Sequence, residues 1–285
     1  MNRIGRIVCA VDFSPESHGA ADYAAGLSRR LDVPMALVHS HHEPAMAAYG
    51  RAAAPDWDMW IPGPASERTE LDLWADEYRA SGVDVIPMMV EGPPAGALGR
   101  NTEPGDLLIV GTHVRGDIAR SLLGSAAERI MRHAHCATIV VPPDCRHKTI
   151  NTILVATDFS SASHHAVRCA CELAKLLGGA RVHVLHVVHE EYVKSHEHYE
   201  VPEHLAGMIE AANTDLKNLL ADRPDVPFSV RVGVPHKEIV AAAEAANVDL
   251  VAVGLHGHNP IEAAVLGSTA NRVLRHAPCP VMVTR

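Results

Sequence analysis

The chain repeats itself, and this internal repeat constrains the fold more than any other feature of the sequence. RIVCAVDFSPESHGAADYAAGL, which begins at Arg6, matches TILVATDFSSASHHAVRCACEL, which begins at Thr152. Two later segments recur in the same order: DLLIVGTH and LLGSAAERIMRHAHCATIVVP in the first half, DLVAVGLH and VLGSTANRVLRHAPCPVMVTR in the second. Copies this long are whole domains rather than the short units of a solenoid. We therefore predict one domain over residues 1–145 and a second over residues 146–285.

Composition excludes several functional classes. The 285 residues fit two domains of roughly 150 residues each, and 47% of them are apolar, enough for an ordinary core in each half. A net charge of −9 argues against binding to nucleic acid, whose protein partners carry basic surfaces. No apolar run reaches the about 18 residues that a membrane span needs, and Asp12 interrupts the N-terminal apolar patch too early for a signal peptide. We predict a cytoplasmic protein that has no membrane segment.

Each half alternates between apolar runs and segments with helical periodicity. In the second half, the apolar run Ile153 to Thr157 precedes a helix that Ser160 can cap and that ends near Gly178. The other predicted elements of this half are strands at Val182 to Val188, Phe228 to Val232, Leu250 to Val253 and Val281 to Thr284, and helices at Pro202 to Leu220, after Pro235 and from Gly267. This alternation predicts an α/β fold, with a parallel sheet in each half and helices on both faces. Ligands of such sheets bind at the carboxyl ends of the strands.

The loop after the fourth strand of the second half is rich in glycine. It begins with Gly254-Leu-His-Gly257 and, nine residues later, reaches Gly267 and Ser268 at the predicted start of a helix. Glycine lets the backbone approach a ligand closely and adopt positive φ, and the free N–H groups of a helix N-terminus attract phosphate. The loop lacks the lysine of a P-loop and the spacing of a dinucleotide fingerprint. It predicts a phosphate site, with a tight βα connection that binds nothing as the alternative.

Taken together, these motifs resemble the universal stress protein family. The resemblance rests on DFS after the first strand, GxxGx9GS after the fourth strand and RHAPCPVMV near the C-terminus, and it covers both halves. It implies two tandem Rossmann-like domains of the HUP type, each with a five-stranded parallel sheet and helices on both faces. In the ATP-binding branch of the family, adenine lies near the first two strands and the phosphates lie on the glycine loop. The resemblance therefore implies ATP, with or without Mg²⁺, as the ligand.

Carried onto the second half, the resemblance implies one nucleotide site. Its residues are Thr157, Asp158, Val187, Val253, Gly254, Gly257, Gly267, Ser268 and Thr269. The backbone of Val187 would bond the adenine edge, and Asp158 would lie beside the base or the ribose. Gly257, Gly267 and Ser268 would face the phosphates.

The first half departs from this pattern. Val114 stands where the second half has Gly257, and Ser40 stands where it has Val187. A β-branched side chain is stiff, tolerates positive φ poorly and fills space that a ribose or phosphate needs. We therefore predict that the first half binds ATP weakly or not at all. The candidate residues for a weak second site are Asp12, Gly111, Gly116, Gly124 and Ser125.

Histidines and a long loop supply further candidates. Of the 20 histidines, His196 and His198 could hold zinc, but their spacing converges on an ion only in an extended strand. We predict no metal site. The segment from His41 to Ser66 carries tryptophans and methionines, and it is either a lid over the nucleotide edge or ordinary packing.

The sequence leaves three functions open. We predict a nucleotide-binding module of the stress response, with ATP mainly in the second half and no enzymatic activity. An efficient ATPase using Asp158 or His256 is disfavoured, because the motif of the second half offers no Lys or Arg to neutralise phosphoryl charge, and a slow ATP hydrolase stays open as the second function. The third function is a scaffold, in which Thr138 to Val141 and Val281 to Thr284 pair within one chain as a pseudo-dimer. A homodimer of whole chains and an unidentified protein partner stay open.

Overall fold

The computed structural model describes residues 4–42, 64–112, 125–143, 145, 149–189, 201–257 and 266–285. Its first half contains β1 (Arg6–Val11), α1 (Pro15–Leu31), β2 (Met35–His41), α2 (Pro64–Ala80), β3 (Val85–Glu91), α3 (Pro94–Arg100), β4 (Asp106–Gly111), α4 (Ser125–His133) and β5 (Ala137–Val141). Its second half contains β6 (Thr152–Thr157), α5 (Ser161–Leu176), β7 (Arg181–His189), α6 (Val201–Leu219), β8 (Phe228–Gly233), α7 (Pro235–Ala245), β9 (Leu250–Gly254), α8 (Ser268–His276) and β10 (Val281–Thr284). Strands and helices alternate in both halves, as the sequence predicts.

The strands form one continuous sheet in the order β3-β2-β1-β4-β5-β10-β9-β6-β7-β8. Within each half all neighbouring strands are parallel, and the order is that of a doubly wound fold. Between the halves, β5 and β10 pair antiparallel, with Ile139 opposite Met282. The predicted α/β fold, with a five-stranded parallel sheet in each half, is confirmed. The predicted pairing of the two last strands is confirmed as well, and it merges both sheets into one.

The antiparallel pair fixes the relative direction of the two halves. Because β5 and β10 run in opposite directions while every other pair is parallel, the strands of the first half run against those of the second. The carboxyl ends of the two sets of strands therefore lie at opposite edges of the shared sheet.

The core forms a layer on each face of the sheet. Ile7 and Cys9 of β1 pack in the layer that contains Tyr23 of α1, whereas Val8 packs in the layer that contains Leu98 of α3. Each layer includes buried residues of both halves, so it continues across the seam between β5 and β10. Strands buried on both faces explain the nearly unbroken apolar runs in the sequence.

Helix ends follow their local sequence signals. Ser160 is the N-cap of α5, and its side-chain oxygen accepts a hydrogen bond from the N–H of Ser163 at 3.3 Å. Gly178 and Gly179 follow the same helix with φ angles of 82° and 97°, a left-handed conformation that ends helices. The predicted cap and stop are thus confirmed. The helix predicted from Gly267 begins one residue later, with Gly267 as its N-cap.

One arginine ties the halves together away from the sheet. Arg30 lies in the last turn of α1, and its guanidinium donates hydrogen bonds to the carbonyl oxygens of Ile150, at 2.7 Å, and Leu177, at 2.8 Å. Its neighbour Arg29 instead donates to Ser81 within the first half. None of the helices in the described ranges has both the length and the apolarity that a bilayer crossing requires.

Candidate ligand-binding site

A cavity of about 370 Å³ opens where the strands of the second half end. All nine residues predicted for this half line it: Thr157, Asp158, Val187, Val253, Gly254, Gly257, Gly267, Ser268 and Thr269. They come from the ends of three neighbouring strands and from the start of α8. The parallel sheet gathers them at one edge, as expected for ligands of this fold class.

A tight turn after β6 positions Asp158 at the cavity. Its Oδ1 accepts hydrogen bonds from the N–H of Ser160 at 3.0 Å and from the hydroxyl of Ser160 at 2.6 Å. Phe159, between these residues, has a φ of 65°, which is costly for an aromatic residue and is typical of functional sites. The turn Asp12-Phe13-Ser14 repeats this arrangement in the first half, with a φ of 62° at Phe13. Both halves therefore hold an aspartate with the same strained turn.

A histidine behind the cavity supports this turn. The ring of His186 packs on Phe159 with a centroid distance of 4.5 Å, and its Nδ1–H donates to the carbonyl of Thr157 at 2.9 Å. Burial lowers the pKa of His186, although the hydrogen bond and the nearby Asp158 oppose this shift. His186 does not line the cavity, whereas its neighbours Leu185 and Val187 do, as strand alternation requires. It contributes a neutral ring that orders the strand end.

Of the two glycine properties that the sequence analysis named, close approach and positive φ, this loop shows only the first. None of Gly254, Gly257 and Gly267 lies in the left-handed region. A Cβ on Gly254 would lie 2.9 Å from the backbone nitrogen of Ser163, and one on Gly267 would lie 3.2 Å from a backbone oxygen. A Cβ on Gly257 would instead lie 2.9 Å from Oδ2 of Asp158. The first two glycines permit close backbone packing, and Gly257 keeps space open beside the carboxylate.

The start of α8 provides hydrogen-bond donors to this cavity. Ser268 and Thr269, in the first turn, both line it, and the N-cap Gly267 supplies no side-chain cap. The first N–H groups of a helix have no partner within the helix and carry partial positive charge. Such a set of donors suits an anion.

Positive side chains lie around His236, the residue that follows the cavity-lining Pro235. Burial lowers the pKa of His236, and the charges of Arg272 and Lys237 lower it further. His236 follows Pro235, which lines the cavity, and Arg272 lies on α8. The sequence analysis missed this charge, because only folding brings α7 and α8 into contact.

Seven lining residues were not predicted as site residues: Ala156, Ser163, Leu185, Pro235, Ile239, His256 and Ala270. Alternation along β7 could have identified Leu185 from its neighbour Val187 two positions away. Pro235 and Ile239 lie four residues apart on α7 and share one face, but no sequence signal assigns that face to this cavity.

The first half has a smaller cavity, of about 220 Å³, at the ends of its own strands. Asp12 and Gly111 of the predicted second site line it, as does Ser40, whose hydroxyl donates to the carbonyl of Gly92 at 2.5 Å. Ser125 begins α4, and nothing of its side chain is described. The other predicted residues, Gly116 and Gly124, lie outside the described residues together with Val114.

The histidine and loop hypotheses fall largely outside the described ranges. His196, His198 and most of the segment from His41 to Ser66 are not described. Where that segment rejoins the described chain, Nδ1 of His41 hydrogen-bonds Oε2 of Glu67 at 2.6 Å. Within the described residues, no group of three or more His, Cys, Asp or Glu side chains is arranged to hold a metal ion.

Fold and cavity together define a class of protein: a doubly wound α/β chain with two similar halves and a glycine-lined cavity at the carboxyl ends of its strands. The comparison with known families agrees with this class. The model of the universal stress protein family matches residues 3–142 and residues 149–285. The chain belongs to the universal stress protein family.

Individual relatives match either the whole chain or one half of it. Universal stress protein Rv2005c of Mycobacterium tuberculosis is 28% identical over 305 aligned positions, which cover 98% of this chain and 96% of the relative. Universal stress protein MJ0577 of Methanocaldococcus jannaschii is 31% identical over 152 positions, covering 47% of this chain and 93% of the relative. The crystal structure of a universal stress protein from Archaeoglobus fulgidus matches with a TM-score of 0.66 and 20% identity, covering 99% of this chain and 98% of that one. This last likeness supports the two-unit fold.

Proposed function

We propose that this chain is a nucleotide-binding module that holds ATP in the cavity of its second half and acts through binding rather than catalysis. One observation carries the proposal. The nine residues implied by the resemblance to the ATP-binding branch of the family line a single cavity, and a Cβ on one of them, Gly257, would lie 2.9 Å from the Asp158 carboxylate, the one contact within 4 Å that it would make with the described residues.

The chemistry of the cavity fits an adenine nucleotide. Leu185, Val187 and Ile239 give it an apolar wall for a base, and Asp158 offers a carboxylate to ribose hydroxyls. The first turn of α8 offers N–H groups and the hydroxyls of its first two residues to phosphates. Base, sugar and phosphate thus each have a matching part of the wall.

Two features support binding without rapid turnover and with a bias toward the second half. Among the described lining residues of this cavity there is no Lys or Arg, the side chains that neutralise charge in phosphoryl transfer. The cavity of the first half is smaller, at about 220 Å³ against about 370 Å³. A cytoplasmic location, a homodimer of chains and the domain boundary stay predictions.

The test is a calorimetric titration of wild type, Gly257→Val and Gly207→Val with ATP in the presence of Mg²⁺. We expect Gly257→Val to weaken ATP binding by at least about tenfold, or about 1.4 kcal/mol, because its side chain enters the space beside Asp158. Gly207→Val is the matched control, since a Cβ at Gly207 meets nothing within 4 Å.

Two further measurements complete the test. Adenosine and AMP titrations report how much of the affinity comes from the phosphates. Release of phosphate from ATP is measured in parallel. If phosphate release exceeds background and Asp158→Ala abolishes it, the protein is a slow ATP hydrolase rather than a binding module. The proposal fails if wild type binds ATP no better than Gly257→Val.

A further inference from the structure

The two cavities differ in one charged residue of their first helix turn. Glu16 lies in the first turn of α1 and lines the first cavity, near the end of β4. Its carbonyl oxygen lies 2.9 Å from the position that a Cβ on Gly111 would take. The glutamate is therefore fixed by backbone packing at the edge where the cavity opens.

The second half has Ala162 at the same place. The two segments align as DFSPES and DFSSAS, and Ala162 contacts Gly254 as Glu16 contacts Gly111: its carbonyl carbon lies 2.9 Å from the Cβ position. The first turn of α5 contains no acidic residue, whereas that of α1 contains Glu16. The backbone is the same in both halves, and the difference is one carboxylate.

That carboxylate changes the electrostatics of the first cavity. A carboxylate in the wall of a cavity repels the negative charge of a phosphate that enters it. Glu16 adds to Asp12, so among the described lining residues this cavity has two carboxylates and the other has one, that of Asp158. The side chain of Glu16 has no hydrogen bond or ion pair with any described residue, and neither Lys nor Arg is among the described lining residues.

We propose that Glu16 is a specificity-determining residue that excludes phosphorylated ligands from the first cavity, while Ala162 leaves the second cavity open to them. Repulsion between like charges at the mouth disfavours a nucleotide and leaves an uncharged nucleoside unaffected. This inference rests on the proposed nucleotide site of the second half.

The first arm of the test moves the charge into the second half. Ala162→Glu and Ala162→Gln are titrated with ATP and with adenosine in Mg²⁺-containing buffer, and their thermal unfolding is compared with wild type. We expect Ala162→Glu to weaken ATP binding about tenfold more than Ala162→Gln. This difference in ATP affinity between the two variants should become smaller at high salt, because salt screens the added charge. The two variants should bind adenosine equally. Glu16 occupies the same turn of the first half, so the backbone accommodates a side chain of this size.

The second arm removes the charge from the first half. In a chain whose second cavity is closed by Gly257→Val, Glu16→Gln should raise the affinity for ATP at least about fivefold and leave that for adenosine unchanged. If Glu16→Gln does not raise the affinity for ATP, or if Ala162→Glu and Ala162→Gln bind ATP equally well, Glu16 does not determine specificity and the inference is wrong. Wild type that binds no ATP would overturn the proposed function itself, a result distinct from both.

Discussion

At the scale of single residues, the two halves share several structural details. The strained turn with Phe13 or Phe159 and the close contact at Gly111 or Gly254 occur in both halves. These features are therefore requirements of the fold as much as of a ligand. Gly257 differs from Gly254, because the described atom nearest to a Cβ built on it belongs to the Asp158 carboxylate rather than to the backbone.

This difference predicts that one alanine substitution mainly lowers stability and the other mainly weakens ATP binding. Gly254→Ala should lower the free energy of unfolding by about 1–3 kcal/mol, because its Cβ would press on the backbone of Ser163 at 2.9 Å. Gly257→Ala should cost less stability, since a side-chain carboxylate can move, and should weaken ATP binding instead. Urea unfolding and ATP titration of both variants check this. Equal loss of stability in the two would mean that Gly257 is also a packing glycine.

Sequence could predict which residues line the cavity but not how each of them packs there. Thr157, Val253 and Ser268 were predictable as lining residues from the resemblance to the universal stress protein family, and the first two lie together because strand ends of a parallel sheet converge at one edge. The role of Gly257 was not, because φ and the position of the Asp158 carboxylate are properties of the folded loop. The cations near His236 were also missed, since Lys237 and Arg272 lie on two helices that only folding brings into contact.

At the scale of elements, α1 links the two halves as well as covering its own sheet. Its boundaries follow from Ser14 and Pro15 at the start and from the apolar spacing, all of which the sequence carries. Its long-range role depends on which way Arg30 points, and periodicity leaves that open, because adjacent arginines in one turn look equivalent in the sequence.

The two arginines provide a matched pair of substitutions. Arg30→Ala should lower the free energy of unfolding by about 1–2 kcal/mol, because the carbonyls of Ile150 and Leu177 lose a charged donor. Arg29→Ala removes an exposed contact to Ser81 within the first half and should cost less than about 1 kcal/mol. Chemical unfolding followed by circular dichroism measures both. An equal cost for the two variants would argue against a link between the halves through Arg30.

At the scale of the whole molecule, the β5–β10 pair joins the two halves into one sheet. Met282 is fully buried, and β10 pairs with β9 of its own half and with β5 of the other. The tail motif RHAPCPVMV predicts the strand, and the edge argument predicts its partner. Both core layers cross this seam, so unfolding of one half removes cover from the other.

A charge at this seam should therefore affect the whole chain. Met282→Asp should lower the stability by more than about 3 kcal/mol in a single transition, because it buries a carboxylate at the contact of the halves. Met282→Leu keeps the volume and should cost less than about 1.5 kcal/mol. Denaturant unfolding with two probes checks this. Two separate transitions, one at the wild-type midpoint, would show independent halves.

The reversal of strand direction at the seam has a consequence for communication. Because the two cavities lie at opposite edges of the sheet, ligands bound in them are separated by the length of the strands and cannot contact each other. A protein that docks over one mouth leaves the other accessible to solvent. Coupling between the two cavities would have to pass through the sheet, and a ligand bound in one cavity alone would make the two sides of the molecule differ.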